Sequence, residues 1–184
     1  MIVFPDNSSP KLVEILSSGG IGIVLTDTLY GVVAKADDEA AVTRVYELKG
    51  RSDAKPPIVL IADVSQLYDP LPVGVDETVD GKWPGKNSII IPSLLAPKWL
   101  SRGSSGVAYR IPDNNVLRRL LRETGPLIAP SANPQGSPPA RSIGEAEGYF
   151  GDRVDFYADG GVAFETKPSS LFIMTSNGDF EQLR

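Results

Sequence analysis

Hydrophobic positions in this chain gather into short runs, each fenced by Pro, Gly, Asp or Ser. Ser9-Pro10 offers an N-cap followed by Pro at the first helical position, and Gly19-Gly20 offers the stop. Leu12, Val13, Ile15 and Leu16 between them make one apolar face, so the spacing predicts a helix. Ile21–Leu25 is a short, largely β-branched run and predicts a buried strand. Asp37-Asp38 caps a second helix of about twelve residues, with Val42, Val45 and Leu48 inward, ending near Lys49. Ile58–Ile61, Ser88–Ile91 and Val107–Ile111 read as strands. Asp113 opens a helix through Glu123 that Gly125 closes, and Leu127–Ala129 is a strand running into Ser131. Residues 142–150 carry a weaker helical pattern. Leu171–Met174 and Phe180–Leu183 flank Asn177-Gly178, the signature of a hairpin with a two-residue turn. Strands and helices alternate irregularly before that hairpin. The pattern predicts an α/β fold, an open, twisted, mixed sheet with flanking helices. The Pro-rich stretch 130–139 lies between a strand and a helix, so it reads as an ordered functional loop rather than a linker.

No repeat, low-complexity tract or composition break divides the chain, and its 184 residues predict one domain over 1–184. A hydrophobic fraction of 41% and a mean hydropathy of −0.07 describe an ordinary globular sequence rather than a disordered one. No apolar stretch approaches the roughly 20 residues that span a bilayer. Met1–Asp6 lacks the basic start and apolar run of a signal peptide, so a cytoplasmic location is expected. The absence of cysteine removes disulfide and thiol chemistry. The absence of histidine removes more: Ser-His-Asp and Cys-His catalysis, His-containing zinc sites and any imidazole acid or base. Carboxylates, amines, hydroxyls, backbone groups and the substrate's own reactivity remain. A formal charge of −5 argues against a broadly basic surface for nucleic acid, though not against a local basic hollow.

Four polar clusters stand next to strong apolar runs. Thr26-Asp27-Thr28-Leu29-Tyr30-Gly31 follows a strand, where open α/β sheets place their ligand sites. Its hydroxyls and carboxylate suit an amino acid's polar groups; they equally suit a turn capped by Thr and Asp. Lys49, Arg51 and Lys55 bring three cations into seven residues at a helix C-terminus, a position that the helix dipole alone favours. Gly50 lets the backbone turn there, and Pro56-Pro57 direct it toward a strand. Arg grips phosphate as a fork and Lys as a point charge. Ser131-Ala132-Asn133 offers a hydroxyl and an amide for phosphate or ribose oxygens, against the plain alternative of an Asn-Pro turn. Pro168-Ser169-Ser170 precedes a strand. Arg118, Arg119 and Arg122 share one helix; they read as a solvated face and are the local argument for RNA contact.

Other motifs fail on their spacing. Gly74 lies too far from Gly81-Lys82 for a phosphate-binding P-loop, and Trp83 replaces its hydroxyl residue. Gly20-Ile21-Gly22 lacks the third glycine of a dinucleotide fingerprint. Ser8, Lys11 and Ser131-Ala132-Asn133 faintly imitate a penicillin-recognising serine enzyme, but Pro168 follows Lys167 where a Lys-Thr-Gly element is required.

Taken in order, the clusters resemble the YrdC-like family over nearly the whole chain. Leu25–Gly31 is similar to its Pro-Thr-(Asp/Glu)-Thr-x-Tyr-Gly element, and Lys49-Gly50-Arg51 with Lys55-Pro56 to its Lys-x-Arg segment. Trp83-Pro84-Gly85, Val107–Pro112 with its Arg110, Ser131-Ala132-Asn133 with Gly136, Pro168-Ser169-Ser170 and Leu183-Arg184 follow in register. The resemblance implies a YrdC-like fold of the single-domain type, with a concave, positively lined cavity. It implies that ATP, L-threonine and bicarbonate give threonylcarbamoyl-AMP and pyrophosphate for tRNA modification, with Mg²⁺ accompanying ATP and a transferase complex receiving the product. It further implies that Thr28 contacts threonine and that Lys49, Arg51, Ser131, Asn133 and Arg184 hold the nucleotide, with Lys49 and Arg51 catalytic. Lys55 and Ser88 fall at ATP-contacting positions, while Ala108, Arg110 and Ser169 line the cavity. Metal ligands stay unassigned, Asp27 being a candidate. The chain departs from the pattern at Leu25, Pro57, Lys86-Asn87-Ser88, Tyr109, Pro134 and Ser170. Lys86-Asn87 near the nucleotide bears most on substrate. Two alternatives stand beside the synthase: an RNA-binding or ribosome-maturation module, and a diverged paralogue acting on adenylates.

Overall fold

In a computed structural model the chain is described at all residues except 1, 53, 76–78, 80, 165–166 and 176–177. The strands are β1 Ile2–Phe4, β2 Gly22–Leu25, β3 Tyr30–Lys35, β4 Ile58–Leu60, β5 Asn87–Pro92, β6 Gly106–Arg110, β7 Leu127–Ile128, β8 Phe156–Ala158, β9 Ser170–Met174 and β10 Phe180–Gln182. Among the described residues they form one sheet in the order β1-β8-β2-β3-β7-β4-β6-β5-β9-β10. Parallel pairs (β1 with β8, β4 with β6, β5 with β9) mix with antiparallel ones, so the expected mixed sheet is present.

The helices are α1 Pro10–Ser17, α2 Glu39–Lys49, α3 Lys98–Ser101, α4 Asn115–Thr124 and α5 Ile143–Phe150. Their ends follow the capping chemistry of the sequence. Ser9 accepts from the Lys11 N–H, Asp38 from Ala41 and Ser142 from Glu145. At α4 the cap is Asn114 rather than Asp113, its side chain accepting from Leu117. Strands β1, β3 and β8 were not anticipated. β3 was hidden because the polar cluster before it runs through Tyr30-Gly31, which already belong to the strand. β1 and β8 are three residues each, too short for a periodic signal. In the terminal hairpin Phe180 pairs with Met174; the anticipated turn at Asn177-Gly178 lies partly outside the described residues.

The central strands are buried on both faces, as alternation requires. Ile23, Val32, Val59 and Tyr109 face one core with α2 (Val42, Val45) and α5 (Ala146, Phe150). Val24, Val33 and Leu60 face a second core with α1 (Leu12, Leu16) and α4 (Leu117, Leu120, Leu121). On β6 the alternate set Gly106, Ala108 and Arg110 points to the second face, where it lines a hollow.

Candidate functional site

A cavity of about 260 Å³ opens on that second face. Its floor is a cross-strand row: Ile58 of β4 and Ile90 of β5 both register with Ala108 of β6. The smallness of Ala108 and Gly106 leaves the space, and Gly106 is obligatory because an added Cβ would sit 2.3 Å from the Ile91 carbonyl oxygen.

One wall is the β2–β3 turn. The Thr26 hydroxyl donates to the Leu29 carbonyl (2.7 Å) and accepts from the N–H groups of Thr28 and Leu29. Thr26 has spent its proton, so the 3.1 Å contact between the Thr26 and Thr28 hydroxyls needs the Thr28 proton, which can otherwise turn into the cavity. Arg110, at the end of β6, donates to Thr28 Oγ1 (3.3 Å) and Thr26 Oγ1 (3.4 Å) and lies 3.1 Å from Asp27 Oδ1. The two charged side chains are only 5% and 4% exposed. Burial pulls the Arg110 pKa down, and Asp27 opposes that shift.

The next wall joins two distant segments. α2 ends at Gly50 in the left-handed conformation (φ 58°), where the Gly50 and Arg51 N–H groups return to Glu47 and Tyr46. This turn aims Arg51 at the cavity, with Nη2 donating to the Pro56 carbonyl (3.1 Å) and the guanidinium 5.6 Å from the Tyr46 ring centroid. Lys49, the last residue of α2, is 4% exposed and donates to the carbonyls of Ser131 and Asn133. Burial first, then the nearby Arg51 charge, lowers its amine to about 7. Gln135 completes the seam: its N–H donates to Lys49 O (2.8 Å) and its side chain accepts from Ser52 N–H (2.9 Å). The 130–132 segment itself is held along β3, with Val32 donating to Pro130 and Ala132 to Tyr30.

The last wall is Pro168-Ser169 with Arg184. Arg184 folds back so that Nε and Nη2 both donate to the Ser169 carbonyl (3.3 and 3.1 Å). Ser169, 3% exposed, shares a 2.8 Å hydroxyl contact with Ser88, which is fully buried beneath it.

Of the residues singled out from sequence, Thr28, Arg51, Ala108, Arg110, Ser131, Ser169 and Arg184 therefore line one hollow. Lys49, Lys55, Ser88 and Asn133 do not line it. Lys49 holds loop carbonyls, Lys55 is exposed, and Ser88 lies under Ser169. Asn133 is spent inside its own loop, accepting from the Ser131 hydroxyl (2.6 Å) and donating to Pro134 and Ser137 carbonyls. Sequence reading missed Ile58, Ile90, Ser104, Gly106 and Leu171 as lining residues. The period-two alternation of β6 was the available signal for Gly106. The family departures, Lys86-Asn87 included, lie off the cavity wall. Asn87 opens β5, its amide donating to Lys82 O and its carbonyl accepting from the Trp83 indole. For a metal, the described residues present no group of three or more carboxylates, and Asp27 is engaged by Arg110 and the Asp113 N–H. Among the described residues the donor set does not fit a protein-built Mg²⁺ cage.

The sequence model of the family Sua5_yciO_yrdC, described as "Telomere recombination", matches residues 14–184. The chain belongs to the Sua5/YciO/YrdC family. It is 33% identical over 187 residues to a threonylcarbamoyl-AMP synthase of Marinobacter nauticus, covering 95% of this chain and 98% of the relative. A threonylcarbamoyl-AMP synthase of Stutzerimonas stutzeri is 34% identical over 166 residues, covering 88% and 89%. The solved structure of P. abyssi Sua5 complexed with L-threonine superposes with a TM-score of 0.89 at 27% identity. It matches all of this chain, which spans 57% of that longer protein. The Sua5/YciO/YrdC likeness thus covers every element that builds the cavity.

Proposed function

We propose that this chain is a threonylcarbamoyl-AMP synthase, a nucleotidyltransferase that serves threonylcarbamoyladenosine modification of tRNA. The observation that carries the reading is the single hollow that combines hydroxyls and a buried guanidinium (Thr26, Thr28, Arg110) with Arg51, Ser131 and Arg184. The first set suits an amino acid, and the second suits phosphate and ribose oxygens. Relatives of near-equal length bear that activity's name, and a structural neighbour is complexed with L-threonine.

The chemistry asks little of the protein's own nucleophiles, which suits a chain without histidine or cysteine. The threonine amine and bicarbonate give a carbamate and water. A carbamate oxygen then attacks the α-phosphorus of ATP, the bond to the β-phosphate's bridging oxygen breaks, and pyrophosphate leaves. The protein contributes position and charge neutralisation, with Arg51 the foremost cation on the wall. Mg²⁺ would arrive with the nucleotide and offset the charge of its phosphates. The product would pass to a tRNA-modifying transferase, a role that suits a cytoplasmic protein. Among the described residues no helix is long and apolar enough to cross a membrane.

The test is pyrophosphate release from ATP with threonine and bicarbonate omitted in turn. Release is expected only with both present. ATP consumption indifferent to either would point instead to a paralogue acting on adenylates. Arg51→Ala is expected to lose about 2–4 kcal/mol of transition-state stabilisation, roughly 30- to 900-fold in kcat/KM, by analogy with lost oxyanion donors. A near-normal rate from that variant counts against the assignment.

A further inference from the structure

Asp27 is a carboxylate that the proposed chemistry leaves without a task. It does not line the cavity. Its side chain is 4% exposed. Oδ1 lies 3.1 Å from Arg110 Nη2, and Oδ2 accepts from the Asp113 N–H at 3.1 Å. The carboxylate therefore ties three elements together: the β2–β3 turn that carries it, the end of β6, and the segment leading into α4. Arg110 sits on the cavity wall with its Nη atoms also against Thr28 and Thr26. A guanidinium this deeply buried keeps its charge and its aim only with a counter-charge beside it.

We infer that Asp27 is a positioning residue for the amino-acid substrate: it holds the Arg110 guanidinium flat against the Thr28 hydroxyl, so that the two present one preformed seat for a carboxylate. The inference rests on the proposed synthase function. It assigns the seat to threonine rather than to the nucleotide because Thr28 and Arg110 share one wall, whereas Arg51 and Ser131 reach the cavity from another. Without the Asp27 charge, Arg110 is left unpaired in the same burial. It then turns toward whichever small anion enters the hollow, and threonine must displace that anion.

The experiment is steady-state pyrophosphate release by Asp27→Asn, which keeps an acceptor for the Asp113 N–H while removing the charge. The expected result is a rise of at least tenfold in KM for L-threonine, KM for ATP within about twofold, and kcat within about threefold. Chloride or nitrate inhibition competitive with threonine should appear in the variant and be absent from the parent, a signature that general loosening of the fold does not produce. Equal threonine KM values and no anion competition would overturn the inference. A proportionate loss against both substrates would do the same. Should Asp27→Asn fail to fold, Asp27→Asn with Arg110→Gln removes both charges together. That double variant is expected to fold and to show no thermal shift with L-threonine, while retaining one with ATP; a parent-like threonine shift would overturn the inference. If the parent releases no pyrophosphate with threonine and bicarbonate, the proposed function fails and not the Asp27 contact.

Discussion

A single buried hydroxyl shows how this site uses residues that no ligand can touch. Ser88 has no exposed surface, and its Oγ meets Ser169 Oγ at 2.8 Å directly under the cavity wall. One proton lies between the two oxygens, so whichever serine donates it decides whether the other is free to donate into the hollow. Ser88→Ala is therefore expected to raise KM for ATP several-fold, whereas in a Ser169→Ala background it should change nothing. A double-mutant cycle on KM reads this coupling; additive effects would show that Ser88 acts by some other route. The same pair shows how far the site could be read from sequence. Short polar words marked Thr28, Arg51, Ser131 and Ser169, because a hydroxyl or cation beside an apolar run stands out, whereas Arg184 came only from the family resemblance. The words could not tell which members of each face the ligand. Lys49 and Arg51 are two residues apart, yet Arg51 lines the cavity and Lys49 holds carbonyls 82 and 84 positions away. That division depends on the Gly50 turn and on long-range contacts, and neither has a local signal.

At the scale of elements, α2 couples chemistry to stability through its last side chain. The Lys49 amine titrates near 7 when folded, against 10.5 for an unperturbed lysine. Between those values the unfolded chain binds one more proton than the folded one, so this group makes the fold more stable as pH rises; below the folded value its full burial penalty is present. Denaturant midpoints measured between about pH 7 and pH 9 should rise for the parent relative to Lys49→Met, which has nothing to titrate there. Parallel profiles would show that the amine keeps an ordinary pKa. Element existence was mostly legible, since Ser9, Asp38 and Ser142 cap where their sequence context says they should. Strand order was not. β8 slips between β1 and β2, and β9 pairs with β5, contacts across more than a hundred residues in the first case and some eighty in the second that no periodicity encodes.

At the scale of the whole molecule, an acidic chain of net charge −5 concentrates Arg51, Arg110 and Arg184 around a hollow of about 260 Å³. A nucleic-acid duplex cannot enter such a space, and a net charge of −5 gives its phosphates no broad attraction. Binding of tRNA at about 150 mM salt is accordingly expected to be undetectable by filter retention. Tight, salt-sensitive retention without ATP turnover would revive the RNA-binding alternative. The stitching of α2 to the 131–135 loop has one more outcome. Lys49 and Gln135 fasten the two segments from both directions, so that side of the mouth behaves as a fixed jaw. The Arg184 wall is tied differently: its backbone pairs with Leu171, while its side chain grips only the carbonyl of Ser169. Loosening that side-chain grip, for example by Arg184→Ala, is therefore expected to speed exchange at the mouth more than any change on the doubly fastened side.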